Sequence, residues 1–414
     1  MNTPQTESDA AAASAEFAPG FARAQVILKP KKSRPFYGHH PWVLESAVDR
    51  VVGEPADGAI VDLLNEKQKF IARGIFNSKS RIRVRLYTWD AAEGLTRDWL
   101  EKRLTAAIEL RRQLGLLEPS DGARIVFSES DQLSGLIVDR YADYLSLQVN
   151  SLAMAQRLDE IVPILVEYLR PRGIVLKQER GIGPLEGIKL VEGLIWGELP
   201  AGPIFITENQ LKFGVDLREG QKTGYYLDQR DNRAAVARYA IGRRVLDMCC
   251  YAGGFSLNAA KNATDVLGID SSARAVTLAT ENARLNNITN VRFEAGDVFE
   301  TLDRLITEGK RFGMIILDPP KFAHKRDRVD DALMAYHRLN RAAVDLLEPG
   351  GILVTCSCSG HVQREDFLDM LAGVAQRTSR DIQILEQRGA APDHPVSATC
   401  LETEYLKCFI CRAG

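Results

Sequence analysis

The sequence has no apolar run near the roughly 20 residues that a membrane-spanning helix requires, which excludes that class of protein. Cysteine is missing from the first 248 residues. All seven (Cys249, Cys250, Cys356, Cys358, Cys400, Cys408 and Cys411) come later, an odd number without a pair of CxxC elements. No metal site is expected from that spacing, and a reduced, cytoplasmic protein is the natural reading. The first 22 residues lack a basic start, and Glu16 interrupts their alanines. A signal peptide needs both a basic start and a clean apolar stretch, so residues 1–22 are expected to be a disordered tail.

What is present is the composition of a soluble globular protein, 45% hydrophobic and 26% charged, in a chain of 414 residues. That length implies two or three domains. The net charge of −2 conceals an asymmetry, because residues 21–90 hold 13 Lys/Arg against 7 Asp/Glu. A basic module in an acidic whole points to a polyanionic partner, with a merely solvated face as the alternative.

Hydrophobic periodicity divides the chain into three units after the tail. Residues 23–95 read as short strands (Val26–Leu28, Ile60–Leu64, Phe70–Gly74, Arg81–Tyr87) of a small barrel. The last strand alternates, with Arg81, Arg83 and Arg85 on one face and Ile82, Val84 and Leu86 on the other. Three guanidiniums on a polar face can take phosphates bidentately, which makes them the candidate RNA contacts. Residues 96–200 read as a small α+β unit with helices near 98–114 and 152–169. Residues 201–414, after a Gly/Pro-punctuated lead-in to 241, alternate strand and helix. The strands Arg244–Met248, Asp265–Ile269, Val291–Glu294, Gly313–Leu317 and Gly351–Thr355 are apolar throughout, the mark of a doubly wound, mostly parallel sheet. Ligands bind such sheets at the carboxyl ends of the strands.

The residues after those strands carry the chemistry. The first ends Asp247-Met-Cys-Cys-Tyr251-Ala-Gly253-Gly254, a turn where glycine permits close backbone approach before a helix opens. The third glycine of the dinucleotide GxGxxG pattern is absent. Asp270 ends the second strand, placed for two ribose hydroxyls. Asp297 follows the third, within reach of an adenine amine, and Asp318-Pro-Pro follows the fourth. Each acid alone is more often a helix cap, but four such elements in order on successive strands resemble the class I S-adenosylmethionine (AdoMet) methyltransferases. The fold class expected is therefore α/β, a Rossmann-like methyltransferase domain behind a small barrel and a central α+β domain.

The fifth strand runs into Cys356-Ser-Cys358-Ser-Gly360. C5 of a pyrimidine is a poor nucleophile until a thiolate adds to C6 and makes C5 enamine-like; loss of the C5 proton then expels the thiol. Cys358, further out than Cys356 towards the mouth of the sheet, suits that role, with Asp318 bonding N3 or the exocyclic amine of the base. The alternative is that both cysteines are small buried hydrophobes.

Lys222-Thr-Gly-Tyr-Tyr-Leu-Asp-Gln-Arg230, the Tyr-x-Gly-Gly-Phe turn, Asp318-Pro-Pro-Lys-Phe322, Ser357-Cys-Ser-Gly360 and Asp393-His-Pro395 together resemble one bacterial family. It is the large-subunit rRNA cytosine-5 methyltransferases with an N-terminal PUA domain, and the resemblance spans about 25–412. It implies a PUA-like barrel, Cys358 as nucleophile, AdoMet as cofactor, and 23S rRNA or a large-subunit particle as partner, with no membrane and with a homodimer allowed. Lys321 stands where other RNA cytosine-5 methyltransferases place a second cysteine after Pro-Pro, and is a candidate RNA contact. Arg230 is the first choice for the methionine carboxylate, ahead of Lys222 and Gln229. His394 is either structural or faces the base. Two other readings stay open: a guanine-nitrogen methyltransferase with an inert Cys358, and an RNA-binding assembly factor without turnover.

Overall fold

The computed structural model describes residues 23–179, 181–218, 224–322 and 328–414; the tail 1–22 and Lys222 lie outside the described residues. Strands β1 (Ala24–Leu28), β2 (Trp42–Leu44), β3 (Val48–Val52), β4 (Ile60–Leu64), β5 (Phe70–Phe76) and β6 (Ile82–Thr88) form one mixed sheet in the order β2-β6-β5-β4-β1-β3. Its two end strands, β2 and β3, are consecutive in the chain and joined only by the 3-10 turn Glu45–Ala47. The ends of the sheet are thereby drawn together and it curls into a barrel-like shell around Val26, Leu28, Val61, Leu63, Val84 and Leu86.

Strand β6 is buried on both faces, not one. Val84 and Leu86 fill the shell, while Tyr87 on the opposite face joins the core of the second unit, with Ile60 and Ile75 beside it. That unit comprises α1 (Arg97–Gln113), β7 (Gly122–Phe127), β8 (Leu136–Tyr141), β9 (Tyr144–Val149), α2 (Leu158–Leu169), β10 (Gly173–Lys177) and β11 (Gly193–Gly197). The five strands lie in the order β11-β10-β9-β8-β7. Thr96 caps α1, its hydroxyl accepting the Trp99 amide at 3.3 Å. Trp99, Leu100, Leu104, Ala107 and Ile108 then recur at helical spacing and pack on the sheet.

The lead-in to the third unit contains a hairpin, β12 (Ile204–Glu208) and β13 (Leu211–Val215). Its two-residue turn sets Asn209 and Gln210 at φ of 51° and 66°, as a type I′ turn requires. After α3 (Arg230–Tyr239) the chain alternates: β14 (Arg244–Met248), α4 (Gly254–Ala260), β15 (Asp265–Asp270), α5 (Ala273–Leu285), β16 (Val291–Ala295), α6 (Val298–Thr307), β17 (Phe312–Leu317), α7 (Val329–Leu346), β18 (Leu347–Ser357), α8 (Arg364–Thr378), β19 (Ile382–Arg388) and β20 (Lys407–Ala413). The sheet order is β16-β15-β14-β17-β18-β20-β19, with only β20 antiparallel to its neighbours. Chain direction across the sheet reverses between β14 and β17, so the crevice for a ligand opens at their carboxyl ends. No helix among the described residues is long and apolar enough to cross a membrane.

Candidate active site

The turn after β14 is held in a tense conformation. Cys249, Tyr251 and Gly253 have φ of 64°, 46° and 79°, and two of these are not glycine. Left-handed non-glycine residues persist where surrounding bonds enforce them. Asp270 at the end of β15 does so, accepting the Tyr251 amide at 2.9 Å on one oxygen and the Ser272 amide at 2.9 Å on the other. A carboxylate has about four acceptor positions, so both oxygens can still take a hydroxyl. Asp297 caps α6, accepting the Phe299 and Glu300 amides at 2.9 and 3.1 Å on one oxygen. Asp247 is fully buried. Ser256 donates to one of its oxygens at 2.6 Å, and the other has no hydrogen-bond partner among the described residues. Burial pushes its carboxyl up to about 7; the charges of Asp318 and Asp270 add to that, and the Ser256 bond opposes it.

Gly254 serves packing more than ligand approach. A Cβ there would sit 2.6 Å from Nε of Arg233 and 2.9 Å from the Tyr225 hydroxyl. Arg233 is buried, bonds both carboxylate oxygens of Glu208 at 2.9 Å and lies over the Tyr225 ring. The hairpin thus clamps the turn through a β12 acid.

On the facing side, the sulfur of Cys358 lies 4.0 Å from the Pro319 carbonyl oxygen, so thiol and Asp318-Pro-Pro turn are neighbours. Cys358 is half-buried just beyond β18, whereas Cys356 is inside the core opposite Cys408. Gln229 fixes Asp318: its amide donates to the carboxylate at 3.1 Å while its carbonyl accepts from Asn232 at 2.6 Å. The phenols of Tyr226, Tyr336 and Tyr405 all titrate high, chiefly through burial, and each feels the charge of Cys358. Tyr226 also packs edge-on against Tyr251, which joins the two halves of the site. A separate cavity of about 580 Å³, between β10, β11 and Leu217–Arg218, contains none of these residues.

Residues 195–404 match the model of an S-adenosylmethionine-dependent methyltransferase family, and residues 26–89 that of a PUA-like domain. The chain is 37% identical to ribosomal RNA large subunit methyltransferase I of Erwinia tasmaniensis over 94% of its own length and 99% of the relative. Identity to the Aeromonas hydrophila protein of the same name is 39%, with the same coverage. The chain belongs to the ribosomal RNA large subunit methyltransferase I family. A Streptococcus mutans structure assigned as a SAM-dependent methyltransferase shares the fold, with a TM-score of 0.81 at 19% identity over 94% of this chain and 99% of that one. A methyltransferase structure complexed with SAH superposes equally well.

The family's cofactor is AdoMet, and the residues present fit it. AdoMet carries an ammonium and a sulfonium, which suit the unpartnered buried oxygen of Asp247. Its ribose offers two hydroxyls to the remaining acceptor positions of Asp270.

Several residues expected to bind ligands are engaged elsewhere. Arg230 is buried and faces Asp393 at 2.9 Å and Asp231 at 3.5 Å, and it donates to the Gly122 carbonyl at 3.1 Å, so its fork is not offered to a methionine carboxylate. Arg85 is 8% exposed, paired with Glu186 at 3.0 Å and Glu129 at 3.5 Å at the seam between the first two units. Arg83 pairs with Glu45 at 2.8 Å and also donates to the Ser78 carbonyl. Only Arg81 of the three is exposed. The polar face expected of this strand is therefore divided: the second unit covers Arg85, and Arg83 is paired within its own unit. Lys321 is exposed beside the Pro-Pro turn. His394 is 3% exposed, bonded to Asp393 at 3.0 Å and packed on Phe127, so it faces protein.

The fold also gathers His40, Cys400 and Glu402, whose donor atoms lie within 4.8 Å of one another, which no sequence spacing shows. His40 Nδ1 accepts the Trp42 amide at 3.3 Å, placing the ring proton on Nε2 towards Glu402. The trio is a hydrogen-bonded clasp between the first and third units. Gln229, weighed in the sequence for the methionine carboxylate, bonds Asp318 instead, while Tyr226 and Tyr405 carry no signal of their own beyond lying in or near the matched motifs.

Proposed function

We propose that this protein methylates C5 of a cytosine in 23S rRNA, through a covalent bond between Cys358 and C6 of the base. The observation that carries the reading is the placement of a half-buried thiol against the Asp318-Pro-Pro turn, across from the strained turn after β14. Bound AdoMet supplies an electrophilic methyl group. Asp318, held by Gln229, accepts a hydrogen bond from the exocyclic amine or protonated N3 and so stabilises the ring as sulfur adds. The Cys358 thiolate adds to C6 and leaves C5 enamine-like; after methylation, loss of the C5 proton expels the thiolate. Asp247, Tyr251, Gly253, Gly254, Asp270 and Asp297 form the cofactor pocket in this reading.

RNA would be held by residues 23–95 and 96–200, ahead of a catalytic unit 201–414 working in the cytoplasm. Arg81 and Lys321 are the exposed members of the original set of RNA contacts. A second group lies on the barrel: Lys31, Lys32 and Arg34 are exposed with no acidic partner among the described residues, beside an exposed Tyr37 and the stacked His39–Trp89 pair. Unpaired cations interleaved with aromatic rings suit a phosphate backbone with accessible bases.

The test uses rRNA carrying 5-fluorocytosine at the target. Fluorine replaces the proton that must leave, so wild type with AdoMet should stall as an adduct that survives denaturing electrophoresis. Cys358→Ala should yield neither adduct nor product yet bind AdoMet normally, and Cys356→Ala should stay active. Methyl transfer by Cys358→Ala would overturn the covalent reading in favour of base-nitrogen methylation.

A further inference from the structure

Lys407 is a buried ammonium that the reaction as described does not use. It is 2% exposed, at the start of β20, and pairs in register with Ser357, the residue before Cys358. All three of its N–H groups are spent on main-chain carbonyls: Ser359 at 2.7 Å, Val362 at 2.7 Å and Tyr405 at 3.0 Å. Two of those carbonyls belong to the loop that carries the thiol.

Among the described residues no carboxylate forms an ion pair with this ammonium. Burying a charge without a counter-ion is costly, and neutral carbonyls offset only part of that cost. The acids nearest it are already committed. Glu404 pairs with Arg364 at 2.7 Å, and Asp366 accepts the Gln363 amide at 2.9 Å in the cap of α8. Burial pushes the ammonium down to about 8, and the strongest influence opposing that is Cys358, ahead of Glu404 and Asp366, while Arg364 adds to the fall. The ionisable groups near Cys358 on other elements include the Asp318 carboxyl of the adjoining turn and the phenols of Tyr226, Tyr336 and Tyr405, the phenols all neutral at pH 7. Lys407 is the buried cation bonded to the loop that carries the thiol.

We propose that Lys407 is the positioning residue for the Cys358 thiolate: it ties down the loop bearing the thiol and supplies the positive charge that the thiolate faces once its proton has left to solvent. The inference rests on the reading of Cys358 as the nucleophile. It accounts for how a thiolate could form beside the Asp318 carboxylate, whose like charge disfavours it. Lysine is suited to the task, since its compact ammonium reaches three carbonyls at once.

The test is the rate of Cys358 alkylation by iodoacetamide against pH, resolved by peptide mass mapping so that the six other cysteines do not interfere. No RNA or methyl transfer is needed. In Lys407→Met the midpoint of the profile should rise by about one unit, so that labelling at pH 7 falls about tenfold, while AdoMet binding persists. Lys407→Arg, which keeps charge and donors, should recover most of the rate. A folded, AdoMet-binding Lys407→Met with an unchanged profile overturns the proposal. Should Lys407→Met not fold, reciprocity provides another arm: in Cys358→Ala the Lys407 ammonium, followed by side-chain 15N resonance, should titrate lower than in wild type. An unchanged ammonium midpoint overturns the proposal equally. If the titrations are coupled but Cys358→Ala still methylates rRNA, the nucleophile reading fails and the electrostatic pairing stands.

Discussion

Replacing Arg85 with Gln separates a structural from an RNA-binding role for the arginine strand. The wild-type guanidinium faces Glu186 at 3.0 Å and Glu129 at 3.5 Å, and donates to the Ser134 hydroxyl at 3.0 Å. Removing one partner from a buried ion pair costs about 3–5 kcal/mol, because the remaining charge is left uncompensated. The lower end applies here, since both carboxylates keep neutral donors. Glu129 retains the Trp42 indole at 2.9 Å and Ser134 at 2.7 Å, and Glu186 retains Ser80 at 2.6 Å. About 3 kcal/mol, with a urea dependence of about 3 kcal/mol per molar, moves an unfolding midpoint by about 1 M. All four tryptophans lie between residues 42 and 196, so intrinsic fluorescence reports the unfolding of the first two units. Arg81→Gln should stay within about 0.5 kcal/mol of wild type in the same assay. It should instead flatten the dependence of log K for RNA on log salt by about 0.7–0.9. An Arg85→Gln protein of unaltered midpoint and flattened salt slope would refute the burial argument.

Asp270→Ala should weaken AdoMet binding by about 1.5–3 kcal/mol by calorimetry, as hydrogen bonds to a charged acceptor are lost; unchanged affinity removes Asp270 from the pocket. The carboxyl of Asp247 titrates near 7, far above its value in an unfolded chain, so the folded state binds the extra proton. Its contribution to apo stability is therefore present below about pH 4 and lost as pH rises towards 7, while affinity for a cationic cofactor should rise over the same approach to neutrality. Asp247→Asn should abolish the pH dependence of AdoMet affinity, and a persistent slope assigns it to another group. Replacing Lys31, Lys32 and Arg34 together with Gln should lower the salt slope of RNA binding by about two to three while leaving AdoMet affinity alone; an unaltered slope moves the RNA surface elsewhere.

The methyltransferase sheet was legible because its strands are apolar on both faces and punctuated by acids. Arg244–Met248 was read to the residue, and the other parallel strands to within a few residues except at the start of β18. The short strands β2 and β3 were not seen: β2 has three residues, and β3 exposes most of its side chains, so neither leaves a periodic trace. The hairpin β12–β13 was taken for a punctuated linker because its turn is Asn-Gln, without the glycine that marks most type I′ turns. In the site, residues next in sequence to a strand end stand out because the strand itself marks them, whereas a contact made across the fold leaves no such mark. Gln229 reaches Asp318 over 89 positions, and Lys407 reaches the Ser359 carbonyl over 48.

The misplaced residues share one physical cause. A guanidinium reads the same in sequence whether it faces solvent or a carboxylate far along the chain, because only the partner's position distinguishes them. Arg85 meets Glu129 and Glu186 of the second unit, and Arg230 meets Asp393. Asp393 is itself a junction: its carboxylate accepts the Arg124 amide at 2.9 Å and the bond from His394, while its carbonyl accepts from Arg111 at 2.7 Å. Burial alone would raise such a carboxyl, but His394, Arg230 and the Arg124 amide outweigh it and hold it well below the usual range. The Asp-His-Pro motif therefore welds the catalytic unit to the central sheet through one satisfied, buried anion. That weld fixes β7 against the segment bearing Gln229 and Arg230, and so sets the orientation of the central sheet relative to the methyltransferase unit.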